Sequence, residues 1–191
     1  MRKVLLLEHV TLDGYVAGPN GEMDWIHLPD EIWQFGNNLT ASSDAAIYGR
    51  VTYGMMAGYW PTATDGPDAD RHAIDHATWV NNAQRYVFSN TLEAAPWGDS
   101  SCTIVKGDAA AEVARLKQQP GRNIFLVGSI TLAQSLMRAG LVDEYHINLN
   151  PVVLGGGRAL FPTGLQHALN LKLAPSTPLP TGVIALHYEP A

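Results

Sequence analysis

Cysteine is almost missing from this 191-residue chain, where Cys102 stands alone. One thiol builds no disulfide framework and no cysteine-rich zinc site within a chain, which fits a reducing, cytoplasmic setting. Positive charge is short as well. Twelve Lys and Arg face eighteen Asp and Glu, a net of −6. That balance argues against a general nucleic-acid or anionic-membrane partner, though it leaves room for a local basic pocket. Nothing approaches the ~18 apolar residues of a membrane span. After Arg2 and Lys3 the apolar run covers only Val4 to Leu7 before Glu8 and His9 end it, so it reads as a strand and no signal peptide. No repeat, low-complexity tract or linker divides the chain, and residues 1–191 are expected to form one domain. The G-x-G-x-x-G fingerprint and the P-loop are both absent, as is the G-x-S-x-G of many hydrolases.

What is present is ordinary in bulk, 46% hydrophobic and 16% charged. The informative stretch is Ala45 to Met56. A short apolar run with β propensity turns at Gly49 and continues with Val51, Met55 and Met56 at helical spacing. A strand, a glycine turn and a helix start make an anion site, because free N–H groups and the positive helix end point past the strand. Arg50 adds a planar charged fork suited to phosphate, and Thr52 adds a hydroxyl. A plain βα unit with a surface arginine also accounts for this stretch.

The rest of the chain fills in around it. Val4–Leu7 reads as a central strand buried on both faces, and Thr11–Gly21 as a long loop of the kind that lines a site. Trp25, at the end of that loop, reads either as a pocket wall or as a pin holding the loop to the core. Pro29 and Asp30 start a helix with Ile32, Phe35 and Leu39 on one stripe. Asp30 and Glu31 there either satisfy the helix N-terminus or supply a carboxylate to a substrate. Trp60 follows the second helix, Thr62–Asp70 reads as loop, and Arg71–Asn81 reads as a helix. On it His72 and His76 stand at i, i+4, but no third ligand is near and Ala73 fills the Glu position of H-E-x-x-H, so no metal site is expected.

Further strands are expected at Arg85–Asn90, Cys102–Val105 and Asn123–Val127, with helices at Ala109–Gln119 and after Gly128-Ser129. Three strand ends thus carry small polar or basic residues: Gly49-Arg50-Val51-Thr52, Ser89-Asn90 and Gly128-Ser129. In an open parallel sheet such ends share one rim, and with Arg50 and Lys106 nearby they point to an elongated phosphorylated ligand such as a dinucleotide. The last third alternates polar and apolar residues. Leu169–Leu173 and Val183–Tyr188 pair with no helix between them, an antiparallel finish on a mainly parallel sheet. Gly155-Gly156-Gly157 reads as a bulge or bend, with an anion cradle as the alternative.

Taken in order, these segments resemble the dihydrofolate reductase-like superfamily, nearest the reductase domain of the bacterial riboflavin-biosynthesis deaminase/reductase and its stand-alone relatives. The resemblance rests on Thr11-Leu12-Asp13-Gly14-Tyr15-Val16-Ala17, Asp24-Trp25-Ile26, Ile47-Tyr48-Gly49-Arg50-Val51-Thr52-Tyr53, Leu126-Val127-Gly128-Ser129 and Asn150-Pro151-Val152-Val153-Leu154-Gly155-Gly156-Gly157. It implies an α/β three-layer fold with a mostly parallel sheet and antiparallel C-terminal strands. It also implies an NADPH-dependent reductase acting on a C=N or C=O bond of a small, pterin- or pyrimidine-like substrate.

By that resemblance Gly49, Arg50, Val51 and Thr52 hold cofactor phosphates, with Arg50 on the 2′-phosphate. Ser89 and Asn90 flank the adenosine half, and Lys106 adds a cofactor-binding charge. Val127, Gly128, Ser129 and Ile130 admit the pyrophosphate, and the loop at Asp13 to Gly18, with Ala17 and Gly18 on the cofactor, closes over the nicotinamide. Glu31, with Asp30 second, is the implied catalytic acid. Asp13, Trp25 and Trp60 are the implied substrate contacts, and a homodimer is implied as well. The folate enzymes' basic residue before the third strand is replaced by Asn81-Asn82-Ala83-Gln84, and Tyr15 stands where riboflavin-pathway reductases carry Lys or Arg. The resemblance therefore names no substrate. A non-catalytic nucleotide-binding protein of the same fold is the alternative.

Overall fold

The computed structural model describes residues 1–65 and 71–191, so residues 66–70 of the expected loop lie outside the described residues. The N-terminal strand, β1 (Val4–Thr11), runs four residues past the expected end. Side chains alternate along a strand, and Val4, Leu6 and Val10 all enter the same core cluster. Glu8, in phase with them, is carried onto that buried face.

A short strand within the expected loop, β2 (Tyr15–Ala17), precedes α1 (Asp30–Ala41), β3 (Ser43–Gly49) and α2 (Arg50–Ala57). Then come α3 (Arg71–Asn82), β4 (Gln84–Phe88) and a small hairpin of β5 (Pro96–Trp97) with β6 (Ser100–Ser101). Next are β7 (Thr103–Val105), α4 (Ala109–Lys117), β8 (Asn123–Val127) and α5 (Ile130–Arg138). The chain finishes with β9 (Glu144–Asn150), β10 (Arg158–Ala159), β11 (Leu171–Leu173), β12 (Thr177–Pro178) and β13 (Ile184–Pro190).

Local signals explain the boundaries. Pro29 caps α1 in extended backbone, with Asp30 and Glu31 in the first turn. Asp108 caps α4 by accepting from the N–H groups of Ala110 and Ala111. In α2 the buried residue is Tyr53, while Val51 and Met55, apolar residues at helical spacing, are exposed. Their apolar side chains face a cavity, described below, and not the core.

The main sheet has the order β11-β13-β9-β1-β8-β3-β4-β7, with β12 added alongside β13. Strands β9, β1, β8, β3, β4 and β7 are mutually parallel, whereas β13 runs antiparallel to β9 and β11 antiparallel to β13. One core cluster gathers Leu6, Ile124, Leu126, Val113, Leu116 and Leu136; a second gathers Tyr48, Val87, Ala77, Val80 and Trp97. Two buried cations are paired near the N-terminal strand ends, Arg2 with Asp44 and Lys117 with Asp143. This is the dihydrofolate reductase-like arrangement, a mostly parallel sheet with an antiparallel C-terminal finish.

The triple glycine is a bend before an irregular ladder. β10 pairs antiparallel with β2, and its register shifts between Arg158 and Ala159. Gly157 sits at φ 134°, and a Cβ there would run into the carbonyl oxygen of Ala17. Gly157→Ala should therefore lower stability by roughly 1–3 kcal/mol through overpacking and strain. Urea denaturation measures this; a variant as stable as the parent would contradict the close approach.

Candidate functional site

The C-terminal ends of β1, β3 and β8 open into one cavity of about 510 Å³, where parallel sheets place their ligands. β1 contributes Leu7, Glu8 and His9; the turn into α2 contributes Gly49 to Thr52; the turn into α5 contributes Val127 to Thr131. Ile32, Trp33, Gly36 and Asn37 face it from α1, and Met55, Met56, Trp60 and His76 from the opposite elements. Val16, Ala17, Met23, Ile26 and Arg158 complete the lining from the loops.

Helices α2 and α5 both start at this cavity without a side-chain cap. Their first-turn N–H groups have no intrahelical acceptor, and two positive helix ends thus meet one space. The two turns are tied together. The Gly49 N–H donates to Ser129 Oγ at 2.8 Å, the Ser129 N–H donates to Thr52 Oγ1 at 3.0 Å, and Ser129 Oγ donates to the Val127 carbonyl at 3.1 Å. Ser129 is at φ 60°, the one non-glycine residue with positive φ among the described residues. That backbone costs about 1–2 kcal/mol, and the three hydrogen bonds offset it. Beside it Gly128, at φ 53°, could not carry a Cβ without crowding Thr52 at 3.3 Å.

Burial sets the charges. Glu8 is 7% exposed and its Oε1 has no hydrogen-bond partner. Desolvation pushes its carboxyl up from the ordinary 4.5 to about 8, against a smaller opposing pull from Arg158. His9 is pushed down to about 4 by burial, and its Nδ1 also lacks a partner. His76 is pushed down to about 4 for the same reason, its ring tilted against Trp60 at 4.2 Å. Near neutral pH the cavity therefore holds a protonated carboxyl, two neutral imidazoles and two guanidiniums, Arg50 and Arg158. Arg50 makes no hydrogen bond or ion pair among the described residues. Arg158 donates to Thr131 Oγ1 at 2.8 Å. The net field favours an anion.

Of the residues singled out in the sequence, the cavity gathers Ala17, Gly49, Arg50, Val51, Thr52, Trp60, Val127, Gly128, Ser129 and Ile130. Gly18 lines a smaller recess next door with Gly157 and Arg158. The structure does not bring Glu31 or Asp30 to the cavity. Both are exposed at the start of α1, Asp30 lying 3.6 Å from His72 Nε2, while the helix turns Ile32, Trp33 and Gly36 inward. Ser89, Asn90 and Lys106 also stand apart from it. Ser89 Oγ accepts from the N–H groups of Thr91 and Leu92, and Asn90 Oδ1 from that of Gly107, so both side chains close turns beyond the end of β4. Lys106 is exposed.

Asp13 acts as a clasp outside the cavity. Its carboxylate accepts from Thr11 Oγ1 at 2.6 Å and from the N–H groups of Leu154 and Gly155, and the Thr11 bond leads in holding it below the usual range. Trp25 turns its Nε1 to the Glu22 carbonyl, and Met23 and Ile26 face the cavity in its place. Glu8, His9, Trp33, His76 and Arg158 are cavity residues that sequence reasoning left unassigned. The signal for Glu8 was its period-2 phase with Leu6 and Val10 on a buried strand, whereas His9 falls on the opposite phase.

The chain belongs to the RibD C-terminal domain family, whose model matches residues 2–185. It is 32% identical over 192 residues to the uncharacterized protein YyaP of Bacillus subtilis, covering 98% of this chain and 95% of that one. Among solved structures it resembles a putative riboflavin biosynthesis protein from Shewanella sp. PV-4, with a TM-score of 0.76, 24% identity and 99% of both chains covered. It also resembles the diaminohydroxyphosphoribosylaminopyrimidine deaminase/5-amino-6-(5-phosphoribosylamino)uracil reductase of Thermotoga maritima, with a TM-score of 0.67 and 16% identity. That match covers all of this chain and 57% of the bifunctional one. These two likenesses carry the fold. No described helix is long and apolar enough to cross a membrane.

The buried Glu8 makes a stability prediction with a definite sign. Its folded-state carboxyl titrates at about 8 and its unfolded-state carboxyl at the ordinary 4.5. As pH rises through that window the unfolded chain releases the proton first, so stability falls. Glu8→Gln removes this loss, and by about pH 8 it should be more stable than the parent by on the order of a few kcal/mol, with a smaller gap near pH 5. Urea midpoints at the two pH values measure the gap; a gap independent of pH would contradict the burial of an ionisable carboxyl here.

Proposed function

We propose that the protein is an NADPH-dependent reductase that reduces a C=N or C=O bond in a small pterin- or pyrimidine-like heterocycle. The observation that carries the reading is the unpartnered, buried Glu8 in a cavity on which two uncapped helix N-termini and a free Arg50 converge. Membership of the RibD C-terminal domain family and the uracil reductase named among the structural neighbours support the reaction class.

The residues present fit the cofactor. First-turn N–H groups at Arg50 and Val51, and at Ile130 and Thr131, suit a pyrophosphate. Arg50 suits a further 2′-phosphate, because its guanidinium is exposed, always charged and, among the described residues, committed to nothing else. Gly49 and Gly128 let a phosphate approach the backbone. Ala17 and Gly18 belong to the segment that borders the open side. When bound, NADPH supplies the hydride.

The chain supplies position, dryness and one proton. Met55, Val51, Ile32 and Trp33 exclude water and give a flat heterocycle an apolar seat. Glu8, still protonated at neutral pH, offers its proton to the nitrogen or oxygen that gains negative charge as the bond is reduced. The acid in this reading is Glu8 in place of Glu31 or Asp30, and Ser89, Asn90, Lys106, Asp13 and Trp25 keep scaffold roles. A cytoplasmic homodimer goes with the reading, carried by the family resemblance and the single free thiol of Cys102.

NADPH oxidation in the presence of pterin- and pyrimidine-like heterocycles tests it. At least one should be reduced, with kcat/KM falling as pH rises through about 8. Glu8→Gln should lower kcat by about 100-fold or more while the Kd for NADPH stays unchanged. Turnover that survives Glu8→Gln at full rate would remove Glu8 from the chemistry. Cofactor binding without any turnover would favour the non-catalytic alternative.

A further inference from the structure

A second cluster of ionisable side chains lies away from the cavity, on the join between the parallel sheet and its antiparallel finish. His146 on β9 and His187 on β13 are direct cross-strand partners. Glu144, two residues before His146, shares its face of the strand. The two imidazoles stack with centroids 4.2 Å apart and 19° between planes. Glu144 Oε2 lies 3.0 Å from His146 Nε2 and 3.5 Å from His187 Nε2. His187 Nε2 is fully covered yet has no hydrogen-bond partner. None of the three residues lines the cavity.

We propose that Glu144, His146 and His187 form a binding site for a divalent transition-metal ion, zinc being the ion the spacing fits. Around a tetrahedral zinc with bonds of about 2.0–2.1 Å, ligand atoms stand about 3.3 Å apart. The three donor atoms already lie within 4.8 Å of one another, with the carboxylate oxygen at 3.0 and 3.5 Å from the two nitrogens. Two neutral imidazoles and one carboxylate are a zinc donor set that leaves a fourth position open to water. Oxygen-seeking ions such as magnesium prefer carboxylates and water to this set.

Lys3 completes the arrangement from β1's leading end. Its Nζ holds Glu144 Oε1 at 2.6 Å, which fixes the carboxylate and leaves Oε2 as the single ligand oxygen. A bound ion would clip β13 to β9, so its effect should appear in stability first.

Calorimetric titration of the tag-free, EDTA-treated full chain with ZnCl₂ and with MgCl₂ tests the site. The expected result is one zinc per chain, a raised thermal midpoint and no magnesium binding. His187→Gln and His146→Gln should each weaken zinc by more than the roughly 100-fold upper cost of losing an outer partner. His72→Gln should leave zinc binding as it was. Cobalt in place of zinc should give the intense visible bands of a tetrahedral site, a signature that a variant with altered packing alone would not lose. Circular dichroism of each variant separates ligand loss from unfolding. No zinc uptake by the folded parent, or uptake undiminished in folded His187→Gln and His146→Gln, would overturn the proposal.

Discussion

The hydrogen bonds around Ser129 lock together two βα turns that the pairing of β3 with β8 brings side by side. Through its hydroxyl and its N–H, this one residue links Gly49 at the end of β3 to Val127 at the end of β8 and to Thr52 in α2. Because the link is backbone to side chain in both directions, neither turn can move without the other. The consequence is that two helix N-termini open on the same cavity at fixed relative positions. A single helix start is a weak anion site; two joined in this way, with Arg50 at one of them, make a stronger one. The left-handed backbone of Ser129 is the strained point of that weld, and strained backbone of this kind persists where surrounding structure over-determines it.

The same sheet end decides the protonation states. β1 is a central strand, so residues near its end are covered on both faces, and a carboxyl there loses its water. Glu8 answers by holding its proton, His9 by refusing one. The cavity can therefore be basic through Arg50 and Arg158 and still offer an acid. That combination suits a reaction in which an anionic ligand is bound and a neutral site on the substrate is protonated.

Much of the fold could be read from residue pattern. β8 and its neighbours were visible as short apolar runs, and the starts of α1, α2 and α5 were marked by Pro29, Gly49 and Gly128-Ser129. The antiparallel finish showed in the alternation of Glu144–Asn150 and the lack of a helix before Val183. The limits were three-dimensional. Charged Glu8 breaks the apolar run of Val4–Leu7, so the extension of β1 was hidden in the sequence, although its phase with Leu6 was the available clue. On α1 the acidic residues that resembled a catalytic position were Asp30 and Glu31, but helical phase puts Ile32, Trp33 and Gly36 on the cavity side. Ser89 and Asn90 have the expected small polar composition, but their side chains are engaged in local turns after β4, which composition does not show. Val51 and Met55 have the spacing of core residues, yet they face a cavity, which periodicity cannot distinguish from a core.

In the proposed function the joined turns bind NADPH and Arg50 recognises its 2′-phosphate. Titrating the parent and Arg50→Ala with NADPH and NADH, followed by intrinsic fluorescence, tests it most directly because Trp33 and Trp60 both line the cavity. The expected result is quenching or enhancement on binding, a clear preference of the parent for NADPH, and loss of that preference in Arg50→Ala with NADH binding little changed. Binding of neither cofactor, or equal weakening of both by the substitution, would contradict it.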